Sequence, residues 1–150
     1  MRNEHREIQT WIEQRYSHIF LVCAEVNKQN KLPDAMRHWY QPDVVLRNSQ
    51  GEIEYIIEVE NDPMRKVIVG ASILADACIG EIQQRKKPSL IFIVYMPQGV
   101  RQIQNFKNKI EIAIPYCKNL HSIEMYSIDE FMQIELPNHG MQADAAEPRR

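Results

Sequence analysis

Asp43, Glu58 and Glu60 are the residues of this chain best placed, by type and spacing, to do chemistry. Asp43 opens the apolar run Val44-Val45-Leu46, and the two glutamates close the segment Ile53-Glu-Tyr-Ile-Ile-Glu-Val-Glu60. Asn48-Ser-Gln-Gly51 between them reads as a turn, with Gly51 free to adopt a positive φ. The two runs are therefore expected to be adjacent strands, 42–47 and 53–60, of a hairpin. A strand puts residues two apart on one face, roughly 6–7 Å from each other. Glu54, Ile56, Glu58 and Glu60 should share one face, and Ile53, Tyr55, Ile57 and Val59 the other. Carboxylates crowded beside an apolar strand repel one another and lose hydration, so they need an offsetting charge. A hard divalent cation such as Mg²⁺ supplies it, and three carboxylates favour more than one ion.

The surrounding pattern describes the elements that must hold these residues. Residues 4–17 place Ile8, Trp11, Ile12 and Arg15-Tyr16 on one helical stripe. Residues 18–26 are a compact apolar run expected to be a first strand. Residues 27–40 are polar and carry Pro33, so a loop with a short helical turn near 34–38 is expected. After the hairpin, Asp62 is a fitting N-cap and Pro63 a fitting first helical residue. Val67, Ala71, Leu74, Cys78 and Ile82 then recur at helical spacing toward Arg85, with Gly70 and Ala71 as small residues on the packing side. Ser89–Met96 is almost wholly apolar, as a strand covered on both faces must be. Pro97-Gln-Gly99 reads as a turn into an amphipathic helix over about 100–114, carrying Ile103, Phe106, Ile110 and Ile114. A last strand is expected over 121–128, then a short helix or edge segment to Leu136. The order α-β-β-β-α-β-α-β defines an α/β fold, with a mixed central β-sheet flanked by helices on both faces. Residues 1–136 read as one domain and 137–150 as a disordered polar tail.

The bulk numbers narrow the classes of function. A chain of 150 residues, 44% hydrophobic and 25% charged, is long enough for a real core. It has no apolar run of membrane-spanning length and no signal-peptide core, and its three cysteines sit far apart in apolar surroundings. Buried thiols in a reducing, cytoplasmic setting are expected. A net charge of −2 argues against gripping nucleic acid by bulk electrostatics, though not against basic residues gathered on one face. The five histidines are scattered and show no metal-binding spacing, and read as surface or satisfied residues. No phosphate-binding glycine loop or Ser-His-Asp order is present.

Pro42-Asp43, a gap of fourteen residues, and Glu58-Val59-Glu60, set in this order of elements, resemble the PD-(D/E)xK nuclease superfamily of restriction, repair and recombination endonucleases. The element order matches over about residues 4–130, and specific residues match between 42 and 60. The resemblance implies a restriction-endonuclease-like core and Mg²⁺-dependent cleavage of DNA, with Mn²⁺ able to substitute. Asp43 and Glu58 would be the metal ligands, with the main-chain carbonyl of Val59 a further one. Glu60 stands where the family has lysine, and would act as a base or as a ligand to a second ion. Lys66, in the first turns of the following helix, would supply the missing positive charge, with Arg65 beside it. A nuclease of this size that cuts both strands would be expected to work as a homodimer.

Plainer readings stand beside these. Glu58 and Glu60 fit a solvated strand face, Asp43 a strand-start residue after proline, and Lys66 a solvated helix lysine. Arg37-His38-Trp39-Tyr40 combines basic and aromatic groups that could contact nucleic acid through Arg37 and Trp39, or wedge a loop against the core. The glutamate in place of lysine also suits a catalytically inactive nuclease-fold module that binds nucleic acid or a protein.

Overall fold

Among the described residues five strands form a single sheet in the order β1-β2-β3-β4-β5. The computed structural model describes residues 4–27, 30–61 and 63–138. Its elements in chain order are α1 (Glu4–Tyr16), β1 (Leu21–Ala24), α2 (Asp34–Trp39), β2 (Val44–Arg47), β3 (Ile53–Glu60), α3 (Arg65–Ile82), β4 (Ser89–Val94), α4 (Pro97–Ala113), β5 (Ser122–Ser127) and α5 (Ile128–Gln133). β1, β2 and β3 pair antiparallel, whereas β4 and β5 continue the sheet in parallel. The sheet is thus mixed, and the class is α/β. Among the described residues no helix is long and apolar enough to cross a membrane.

Two apolar layers cover the sheet. Ile68, Ala75 and Ile79 of α3, Ile103 and Ile110 of α4 and Met36 of α2 pack on the face carrying Val45, Ile56, Leu90 and Phe92. Ile8, Ile12 and Tyr16 of α1 and Phe131 of α5 pack on the face carrying Val44, Leu46, Ile57, Val59 and Ile91. β4 is buried along its whole length, as its unbroken apolar run requires. β5 alternates between buried and partly exposed residues, as a strand at the sheet edge does. All three cysteines are buried free thiols.

Several boundaries differ from the sequence reading for identifiable reasons. Ser17 to Phe20 does not begin β1: the backbone N–H groups of Ser17, Ile19 and Phe20 bond back to Glu13 and Tyr16, tightening the end of α1. In the hairpin, Gly51 takes φ 83° as expected. However, Leu46 pairs with Tyr55 and Arg47 with Ile53, so that Glu54 is the extra residue of a bulge. The bulge breaks the strict alternation, and Ile53 packs with Ile56 instead of Tyr55. Gln84 then grips Ile53 on both sides, accepting from its N–H at 2.8 Å and donating to its carbonyl at 2.7 Å.

α3 begins at Arg65 with Met64 at its N-cap, because Pro63 is buried and prolongs the connection; Asp62 lies outside the described residues. Its buried residues are Ile68, Ser72, Ala75, Cys78 and Ile79. Val67 and Leu74, expected on the packing stripe, are exposed, and Gly70 opens outward with nothing within 4 Å of an added Cβ. α3 ends at Ile82, where Gln83 adopts the left-handed conformation. α4 starts at Pro97 itself, which serves as a first-turn proline. The side chain of Phe106 lies outside the described residues, and Ile114 falls in a short 3₁₀ turn beyond α4.

α5 is nucleated by a capping box: the Ser127 hydroxyl accepts from the Glu130 N–H at 3.1 Å, and the Glu130 carboxylate accepts from the Ser127 N–H at 2.9 Å. The Ser127 N–H is the main reason that the Glu130 carboxyl is held below its usual range. Ser127→Ala should lower thermal stability by about 1 kcal/mol, read from the shift in Tm; an unchanged Tm would show that packing of Phe131 alone holds this helix. Beyond α5, Pro137 and Asn138 belong to the fold: the Pro137 carbonyl accepts from the Tyr55 hydroxyl at 2.7 Å, and Asn138 donates to the Ile19 carbonyl at 3.0 Å. The rest of the expected tail, 139–150, lies outside the described residues.

Candidate functional site

The start of β2, the carboxyl ends of β3 and β4 and the first turns of α1 meet at one end of the sheet. Asp43 and Glu58 face each other across the β2–β3 pair and are bound to each other's backbone. Asp43 Oδ2 accepts from the Val59 N–H at 2.7 Å, and Glu58 Oε1 accepts from the Asp43 N–H at 3.0 Å. Glu58 Oε2 accepts from the hydroxyl of Tyr40, a buried residue of the loop before β2, at 3.2 Å. Glu60, at the tip of β3, is half-buried, and its carbonyl accepts from the Tyr95 N–H just past β4 at 3.1 Å.

The electrostatics bind the three acids into one group. Burial pushes the Glu58 carboxyl up to about 8, and the charge of Asp43 raises it further than Glu60 does, against the lowering effect of its hydrogen bonds. Burial also raises Asp43, and burial followed by the Asp43 charge raises Glu60. His5 is the cation that opposes this: its Nε2 lies 3.9 Å from Asp43 Oδ2, and its charge when protonated lowers both Asp43 and Glu60. The other ring nitrogen of His5 is 3.1 Å from the Tyr95 hydroxyl. Burial and the charges of Glu60, Glu4 and Asp43 raise Tyr95 in turn.

Of the residues singled out from sequence, Asp43, Glu58 and Glu60 are brought together. Val59 contributes the N–H that holds Asp43. Lys66 and Arg65 stand exposed on the first turn of α3, and Lys66 is not among the charges that shift Asp43 or Glu60. Arg37 is exposed and lies 3.5 Å from Asp34. The side chain of Trp39 lies outside the described residues. Tyr40 is wedged into the core, the structural role weighed for its tetrapeptide.

Sequence reasoning read His5, with the other histidines, as a surface or satisfied residue and passed over Gln9. His5 and Gln9 sit one helical turn apart on α1, alongside the buried Ile8 and Ile12, and that spacing was the available signal. Gln9 is 3% exposed, and its Oε1 finds no hydrogen-bond donor among the described residues. It lines a cleft of about 370 Å³ together with Glu25, Asn30, Gln41, Pro42 and Asp43. That cleft shares Leu32 and Gln41 with a second, of about 590 Å³, lined also by Lys31, Asp34 and Arg37. The cleft that reaches Asp43 therefore adjoins one that carries two basic side chains, of which Arg37 lies 3.5 Å from Asp34.

The donor set is of the right kind for a hard cation: carboxylate oxygens, each with lone pairs left over, and a peptide carbonyl. In placement it is not a closed cage. Among the described residues no three His, Cys, Asp or Glu side chains are grouped so as to hold a metal ion, because Asp43 and Glu58 turn toward each other's backbone. Comparison with protein-family models, curated proteins and solved structures returns no match.

Proposed function

We propose that this protein is a divalent-metal-dependent nuclease that hydrolyses phosphodiester bonds in DNA, built on a restriction-endonuclease-like core. The observation that carries the reading is the acidic cluster itself. Three carboxylates lie close together where β2 begins and β3 ends, burial raises all three, the Asp43 charge raises Glu58 and Glu60 further, and the cleft that reaches Asp43 neighbours one lined by Lys31 and Arg37. The element order, an antiparallel β1-β2-β3 followed by two parallel crossovers, agrees with the same superfamily.

In this reading Asp43 and Glu58 hold Mg²⁺ or Mn²⁺, the Val59 carbonyl adds a donor, and the bound ion would polarise a phosphate oxygen and lower the pKa of its water. Glu60, less buried than Glu58 and raised above the ordinary carboxylate range, suits a base that takes the proton of the attacking water. His5, beside Asp43 and Tyr95, would when protonated supply the positive charge that the family's lysine would bring. Lys31 and Arg37 line the path of the phosphate backbone.

Calorimetric titration with Mn²⁺ tests the reading. Saturable binding is expected, with protons released at neutral pH because Glu58 must give up its own. Asp43→Asn should remove the heat. No binding at millimolar Mn²⁺ would overturn the nuclease assignment. It would leave the second reading, a non-catalytic module of the same fold that binds nucleic acid or protein. Two observations favour that alternative: Glu60 at the lysine position, and a carboxylate cluster not closed around an ion. Metal-independent DNA binding without cleavage is its signature.

A further inference from the structure

α3 carries two apolar faces, and the sheet uses one of them. Ile68, Ser72, Ala75 and Ile79 point into the core. At 100° per residue, 66, 70, 77 and 81 fall within about 30° of a line on the opposite side, flanked by 73 and 74. These positions are Lys66, Gly70, Ala77 and Glu81, with Ile73 and Leu74. Ile73 is 52% exposed and Leu74 40%. With the exposed Val67 two turns before Leu74 and the exposed Val69 one turn before Ile73, they form a contiguous apolar patch, and such a patch marks an interaction surface.

We propose that this face is the interface of a homodimer, in which α3 packs antiparallel against α3 of a second copy about a two-fold axis between Ile73 and Leu74. Charge selects this occupant. In a two-fold pair, residues equidistant from the axis meet. Lys66 meets Glu81 of the partner subunit at both ends of the contact. Gly70 meets Ala77, so the two backbones approach closely on either side of the centre, while Ile73 and Leu74, lying to opposite sides of the contact line, each meet their own counterpart across the axis. No substitution is needed to make the surface complementary to itself.

The helix's own charges point the same way. α3 has no acidic residue in its first turn and no basic one in its last. Arg65 and Lys66 instead sit at the positive end of the helix dipole, and Glu81 near the negative end, an arrangement that costs free energy in an isolated helix. An antiparallel neighbour places its negative end beside Lys66 and its positive end beside Glu81, and offsets both.

A stable interface takes about 800 Å² from each partner, more than one helix face provides. The segment that runs beside α3, where the Cys117 thiol touches the Ser72 carbonyl, carries Tyr116, which is 76% exposed, and the dimer would draw the remaining area from neighbouring surface of this kind. The inference does not depend on the acidic cluster being a nuclease site.

Sedimentation velocity on the full chain from about 1 to about 500 µM tests it, a range that brackets micromolar self-association. A concentration-dependent dimer is expected for the wild type and none for Ile73→Glu. Lys66→Glu and Glu81→Lys should each weaken the dimer roughly tenfold, because each brings like charges together at two symmetric places. The double variant Lys66→Glu/Glu81→Lys should restore it. A wild type that stays monomeric throughout overturns the proposal and leaves the face to a different protein. Dimerisation in which the double swap is no stronger than either single overturns the antiparallel register.

Discussion

Asp43→Asn and Glu58→Gln should each lower Mg²⁺-dependent cleavage of DNA by at least about a hundredfold without unfolding the protein. The chemistry separates the two effects. The asparagine of the first variant keeps an oxygen to accept the Val59 N–H, and the glutamine of the second keeps one for the Asp43 N–H, so the backbone contacts between the strands survive. The amide nitrogen of that glutamine then faces the Tyr40 hydroxyl, which can accept as well as donate. What disappears is the charge each would present to an ion. Asp43 can no longer carry one, and Glu58, which keeps its proton up to about pH 8, can no longer release it. Losing a buried, repelled charge is neutral or favourable to folding. Circular dichroism and Tm should therefore hold or improve while activity is lost. Undiminished cleavage in either variant rules out the assigned ligands; a collapse of Tm would mean that these carboxylates serve the hairpin and not an ion.

The second large effect is on stability against pH. Folded Glu58 binds its proton at about 8 against an ordinary value of 4.5, chiefly because of burial and then because of Asp43. The folded state therefore holds the proton more tightly than the unfolded chain. Its contribution is fully present below about pH 4.5 and is lost as pH rises through 8. Asp43 and Glu60 act in the same direction. Between pH 5 and 8.5, roughly, the Tm of the wild type should fall, with a few kcal/mol at stake for a shift of this size. Glu58→Gln should flatten the profile, and the difference between the two curves isolates this residue from the other titrating groups. Mn²⁺ should restore Tm more at the alkaline end, where the cluster is charged and its ligands are ready. A wild-type Tm that climbs over this interval, or a Mn²⁺ effect confined to acid, would contradict the buried-acid account.

How far the sequence reveals this molecule varies by element. β3 was legible because its alternation, its glycine turn and the Pro-Asp before β2 are local signals that agree with one another. β4 was legible because only a doubly covered strand is so uniformly apolar. The facing of α3 was not. Val67, Ile68, Val69, Ile73, Leu74 and Ile79 are spread around the helix, so more than one stripe satisfies the helical period and tertiary packing decides which is buried. Ile53 escaped for a different reason: one extra residue in the bulge, Glu54, changes the parity of the strand beyond it. His5 lies far from Asp43 in sequence, and its arrival there depends on how α1 crosses the sheet. The three acids at the site were therefore readable, while the histidine, the buried amide and the cleft beside them were not.

Residues 16–19 and 136–138 fasten to each other. The Tyr16 hydroxyl accepts from the Leu136 N–H at 3.2 Å, and the Ile19 carbonyl from Asn138. During synthesis the first helix leaves the ribosome long before its clasp does, and contacts so distant in sequence form slowly. The layer beneath α1 can close only after residue 138 has emerged, and until then Ile8, Ile12 and Tyr16 remain a greasy surface on a nascent polypeptide. This is a stage at which a chaperone holding α1 would raise the yield of native protein.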